Sequence, residues 1–210
     1  MKIKFPDQIP IFPLSGVIYF PETNLPLNIF EEKYLALIND SIKTNKLLGI
    51  VQSKRNNVDL YKVGCLGKIN EFQRSEDGRV LIVLTGLTRF EIKTEINNTK
   101  LYREFNVEYT KFNNDTLLKK QFSGNEEKQK LLFNKIKIFF KNNNFFLNWQ
   151  ELEKLDLNQK INTLSMIAPI SNEEKQTLLE TVTVDEKTKI LYKIVEFYLH
   201  TKNTEKITIQ

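Results

Sequence analysis

Apolar and polar positions alternate with a period of two over much of the first half of the chain and change to a helical period in the second. From Thr88 onward Phe90, Ile92 and Ile96 fall on one face, while Arg89, Glu91, Lys93 and Glu95 fall on the other, the pattern of a strand with one wet side. Phe105, Val107 and Tyr109 alternate with Glu104, Asn106 and Glu108 in the same way. Leu47 to Ser53 suits a buried strand, and Val80 to Leu84 is apolar throughout, as for a strand that is covered on both faces or lies across a barrel seam. Ser75 to Gly78 supplies turn chemistry between INEFQR and RVLIVLTG and predicts a hairpin. Gly64 and Gly67 predict a bulge or a close backbone approach, because glycine weakens a strand unless geometry requires it.

The segment from Ile9 to Thr44 organises this half. Pro10, Pro13, Pro21 and Pro26 break its apolar runs, which predicts brief strands bent at each proline. After Phe30 the apolar residues Tyr34, Leu35, Ile38 and Ile42 lie on one helical face, and Glu31 and Glu32 sit in the first turn, where the helix dipole favours negative charge. Near Phe112 the character changes. Beyond a polar stretch, Leu132, Ile136, Phe139 and Phe140 form one helical stripe, Leu157, Ile161, Leu164 and Ala168 a second, and Ile190, Leu191, Ile194, Val195 and Tyr198 a third. Ser171 with Glu174 and Thr183 with Glu186 have capping-box spacing, and Pro169 stops the second stripe. The pattern predicts four helices after residue 115.

Several segments carry a resemblance as well as a pattern: FPLSGVIYFPETNLPLNIFEEKYLALI, LYKVGCLGKI, EDGRVLIVLTGLTRF and MIAPISNEEKQTLLE. In this order they resemble the amino-terminal domain of Lon proteases, and the last is similar to the stand-alone bacterial members that lack the ATPase and peptidase modules. The resemblance implies an α+β fold: a PUA-like pseudo-β-barrel with one enclosed helix over residues 1–112, a helical bundle over 116–202, and a flexible tail over 203–210. It also implies a module that binds exposed apolar or unfolded protein segments in protein quality control and hydrolyses nothing. A protease or chaperone would be a further partner. An open, proline-broken sheet can accept an extended peptide at its edge, and Tyr19, Phe20, Leu25 and Leu27 are the candidate rim contacts, each with a core role as the alternative. Arg89, in TGLTRF, matches the family pattern and would either meet a partner's carboxylate or pair internally with Glu31.

Composition narrows the chemistry. A net charge of +5 admits an anionic partner, and PUA-like barrels elsewhere bind RNA, but the lysines are dispersed among acidic residues and form no basic stripe interleaved with aromatics. Nucleic acid is therefore the alternative reading, not the leading one. One cysteine, Cys65, and one histidine, His200, are too few for a zinc site or a disulfide, and no cofactor is expected. Cys65 in an apolar strand reads as core, and His200 as a solvated residue near a helix end. Gly64 to Lys68 has two residues between its glycines where a phosphate loop needs four. Trp149, with Phe145 and Phe146, reads as an anchor between the bundle and the barrel. The absence of a signal-like start and of a long apolar run predicts a cytoplasmic protein without a membrane span.

Overall fold

The computed structural model describes residues 4–54, 59–116 and 126–207, and the chain divides into two units, Met1–Leu118 and Lys119–Gln210. The first holds six strands and a helix in the order β1 (Gln8–Leu14), β2 (Asn24–Ile29), α1 (Glu32–Lys43), β3 (Leu47–Gln52), β4 (Val63–Arg74), β5 (Val80–Ile96) and β6 (Glu104–Glu108). β5 is long enough to serve three partners. One edge pairs with β4, and the other is shared, Val80 to Thr85 with β2 and Glu91 to Ile96 with β6. β6 also pairs with β1, so β5, β4, β3, β1 and β6 close into a ring, with β2 carried outside it on β5. All pairings are antiparallel except β1 with β3. Ile9, Ile11, Val51, Leu66, Phe90, Phe105 and Val107 pack into one core cluster.

Glycines permit this closure. A Cβ on Gly64 would lie 2.6 Å from the Ile50 carbonyl oxygen, the predicted close approach, and the β4–β5 register slips beside Gly67, with the extra residue, Leu87, on β5. The Ser75 to Gly78 turn closes with Ser75 N–H donating to the Arg79 carbonyl, and Gly78 sits at φ +84°.

Two expectations need correction, and for a third the structure excludes one of its two alternatives, double cover. Leu81 is 44% exposed and Val83 is half-buried, so Val80 to Leu84 is covered on one face only. An apolar run cannot by itself distinguish a barrel wall from a doubly covered strand. Arg89 is not on a wet side: it alternates with Thr88 and Phe90, but its face is covered by a 3₁₀ segment (Thr110–Thr116) whose Asp115 binds it, so all three residues are buried. In α1 the most buried residues are Leu37, Ile38 and Ser41, a face rotated from the predicted one.

The second unit contains α2 (Glu126–Asn142), α3 (Trp149–Glu153), α4 (Leu157–Ile167), α5 (Asn172–Glu180) and α6 (Val184–Ile207), one helix more than predicted because α3 is too short to show a period. The first stripe buries completely and the others in part: Leu132, Ile136, Phe139, Phe140, Ile161, Leu164, Ala168, Leu191 and Val195 are in the core, while Leu157, Ile190, Ile194 and Tyr198 are half-buried. Ser171 and Glu174 form a full capping box, while Thr183 receives the Glu186 backbone N–H and donates its hydroxyl to the Glu186 carboxylate. A second full box, Asp156 with Gln159, starts α4. α6 runs to Ile207, and residues 208–210 of the expected tail lie outside the described residues. Among the described residues no helix is long and apolar enough to cross a membrane.

Candidate functional site

A groove of about 770 Å³ opens in the barrel unit where β1 and β2 approach without pairing. Ile11 donates its N–H to the Arg103 carbonyl at 2.9 Å, and the Leu14 carbonyl accepts from Ser53 N–H at 3.0 Å. By strand alternation, Phe12 and Leu14 face β3 while Ile11 and Pro13 face the other way. Pairing of β1 with β6 stops at Pro10. Beyond Ile11 the β1 edge therefore offers the Pro13 carbonyl but no N–H, since proline has none. Among the described strands, β2 pairs with β5 alone.

The walls are amphipathic. Phe12 stacks on Tyr34 with centroids 4.1 Å apart and planes 22° apart, and Leu27 and Ile29 extend this apolar surface. Two aromatic or aliphatic lips stand well into solvent: Phe30, at the junction of β2 with α1, is 65% exposed and Leu101 is 63% exposed. Charged groups at the mouth are paired. Lys33 lies 3.1 Å from Glu31, whose carboxylate raises the lysine pKa by hydrogen bonding, and Arg103 bonds Glu95 at 2.7 Å, holding that carboxyl below its ordinary range. Tyr102 donates its hydroxyl to Asp40 Oδ2 at 2.8 Å, and burial together with that carboxylate pushes the phenol up to about 12. The arrangement is an amphipathic trough with an apolar floor and matched ion pairs at its rim.

Of the five residues nominated from sequence, Leu27 lines this groove. Tyr19, Phe20 and Leu25 lie in the core, at 1%, 0% and 6% exposure, as their apolar character also allowed. Tyr19 keeps a buried hydroxyl with no hydrogen-bond partner among the described residues, and burial raises its pKa. Arg89 makes the internal pair, but with Asp115 and not Glu31: Nε and a terminal nitrogen donate to the carboxylate at 2.9 and 2.7 Å, the Arg89 backbone N–H adds a third bond at 2.9 Å, and the guanidinium covers the Phe112 ring at 4.3 Å. Phe30, Leu101 and Tyr102 were missed. Their signal was local: an apolar residue just ahead of a helix, and a Leu-Tyr pair isolated in the polar run NNTKLYRE.

Cys65 is fully buried, and its thiol contacts the Leu66 carbonyl at 3.7 Å. His200 is exposed on α6, inside the helix and not at its end. Among the described residues no group of three or more His, Cys, Asp or Glu is placed to hold a metal ion. Trp149 packs edge-on against Phe140 at 5.8 Å within the helical unit, and Phe146 is 97% exposed.

A five-strand ring with an extra strand, followed by a helical unit, is an architecture found in solved Lon amino-terminal domains. The Lon N-terminal domain protein from Xanthomonas campestris superposes with a TM-score of 0.66 at 18% identity, covering 88% of this chain and 96% of that one. The N-terminal domain of the Mycobacterium avium complex Lon protease gives 0.63 at 17%, covering 90% and 98%. Sequence relatives agree: the Lon protease of Dictyoglomus thermophilum is 25% identical over 193 residues, and Lon protease 2 of Myxococcus xanthus is 30% identical over 97. The chain belongs to the ATP-dependent protease La (LON) substrate-binding domain family, whose model matches residues 8–196. These relatives are much longer. The aligned part is 23% of the Dictyoglomus protein and 12% of the Myxococcus one.

Proposed function

We propose that this chain is a non-catalytic recognition module that holds extended, apolar or unfolded polypeptide segments in the groove between β1 and β2. The observation that carries this reading is the conjunction of two unpaired strand edges with two exposed apolar lips, Phe30 and Leu101, on one cavity. Lone exposed apolar residues are ordinary on a surface; two facing one groove with open edges are the features of a peptide site. The guest supplies an N–H to the Pro13 carbonyl and apolar side chains to the Phe12, Leu27 and Tyr34 surface. Membership of a substrate-binding domain family supports the same reading. A cooperating protease or chaperone would act on what this module holds.

Anisotropy of a labelled, permanently unfolded apolar peptide tests it. The native chain is expected to bind saturably, and the double change Phe30→Glu with Leu101→Glu to weaken binding about tenfold or more, at unchanged melting temperature. Casein incubated with the protein, with or without ATP, is expected to remain intact. No saturable binding, or binding indifferent to the two lips, overturns the proposal.

A further inference from the structure

The helical unit has a cavity of its own. A half-open hollow of about 350 Å³ lies between α2, α3 and α4, lined by Lys130, Phe133, Lys137, Trp149, Leu152 and Lys160, with Asn134 and Glu153 completing the wall. Leu152 is buried at 4% and forms part of the apolar lining. Among the described residues three lysines and one glutamate line this space, and that carboxylate is engaged, with Lys137 Nζ 3.1 Å from Glu153 Oε1. Lys137 also lies over the Trp149 ring at 5.4 Å, and Lys160 over Phe133 at 6.0 Å. Trp149 is positioned by its edge-on contact with Phe140, and α3 is started by Asn148, whose side chain accepts from Glu151 N–H. The cavity is thus apolar at its base and cationic at its margin.

We propose that it is a second binding site, for an acidic peptide segment that carries one large apolar side chain. The side chain would fill the space beside Leu152 and the ring edges, and neighbouring carboxylates would meet Lys130 and Lys160. The volume sits at the small end of ligand pockets, suited to one side chain and its flanking backbone. Excess positive charge selects acidic flanks. Stacked nucleobases fit less well: ammonium groups already lie over Trp149 and Phe133, whereas base stacking uses open aromatic faces. This site lies wholly in the second unit and does not depend on the groove of the first.

Trp149 is the only tryptophan in the chain, so its emission reports this cavity alone. Titration of the full chain with a capped Asp-Asp-Phe-Asp-Asp peptide is expected to give a saturable change in emission. The response should weaken as salt is raised, because the contacts at the margin are ionic. A Lys-Lys-Phe-Lys-Lys peptide should give none. Lys130→Glu with Lys160→Glu is expected to weaken the acidic peptide about tenfold, at unchanged melting temperature. If that variant does not fold, Lys130→Gln, at an exposed position, should weaken binding about threefold. The groove variant Phe30→Glu with Leu101→Glu should bind the acidic peptide as the native chain does. No saturable change, an equal response to both peptides, or an oligouridylate that acts at lower concentration than the acidic peptide overturns the proposal.

Discussion

Arg89 is the residue where sequence and structure inform each other most. Its guanidinium and the Asp115 carboxylate are 3% and 8% exposed, and a pair so dry is held by geometry: two side-chain bonds and one backbone bond converge on a single carboxylate. Removing one partner strands the other charge. Asp115→Ala is therefore expected to destabilise the protein by about 3–5 kcal/mol, read as a lowered urea midpoint, while Arg89→Met with Asp115→Leu recovers most of the loss. A cost near that of a surface pair, under about 1 kcal/mol, would mean that the pair is not the tie it looks to be. TGLTRF marked Arg89 as notable, but its partner lies 26 residues away. Among many carboxylates, nothing local to either residue selects Asp115.

At the scale of elements, the seam of the barrel depends on glycine. Glu22 N–H donates to the Gly86 carbonyl and Gly86 N–H to the Thr23 carbonyl, which pins the turn before β2 against β5. A Cβ on Gly86 would lie 2.3 Å from the Phe20 carbonyl oxygen and 3.0 Å from Pro21 Cα. Backbone atoms cannot swing aside as a side chain can. Gly86→Ala should cost about 2 kcal/mol or more by urea unfolding and should weaken peptide binding in the groove, because the approach of β2 sets one wall. A neutral result would show that the turn yields. Gly64 and Gly67 were legible as special because they interrupt a strand pattern. Gly86 was less so, standing in TGLT where a turn or a bulge would equally use glycine.

For the whole molecule, buried phenols link stability to alkaline pH. Burial and the Asp40 bond raise Tyr102 from 10.0 to about 12, and burial raises Tyr109 and Tyr19 as well. Between about pH 10 and pH 12 the native state keeps the Tyr102 proton that the unfolded chain releases, so unfolding gains as pH rises. Stability should be level up to about pH 10 and decline through 12, followed as the urea midpoint at each pH. Tyr102→Phe should make that decline shallower. Tyr102 ionising in the folded protein at the ordinary value of 10.0, seen by tyrosinate absorbance, would contradict its burial.

The periods of two and of 3.6 and the order of family motifs determined the α+β class, the strand-rich first half and the helical second half, because these are local properties repeated along the chain. They also identified the helix stripes, the capping box at Ser171 and the glycines of β4. Which apolar residues line a groove and which fill a core is a different kind of fact. Tyr19, Phe20 and Leu25 resemble Phe30 and Leu101 in composition, yet the first three are enclosed and the last two stand in solvent. Only the closure of β5 onto β6 and β1, with β2 left outside the ring, decided which of them water can reach, since burial depends on what arrives from distant parts of the chain.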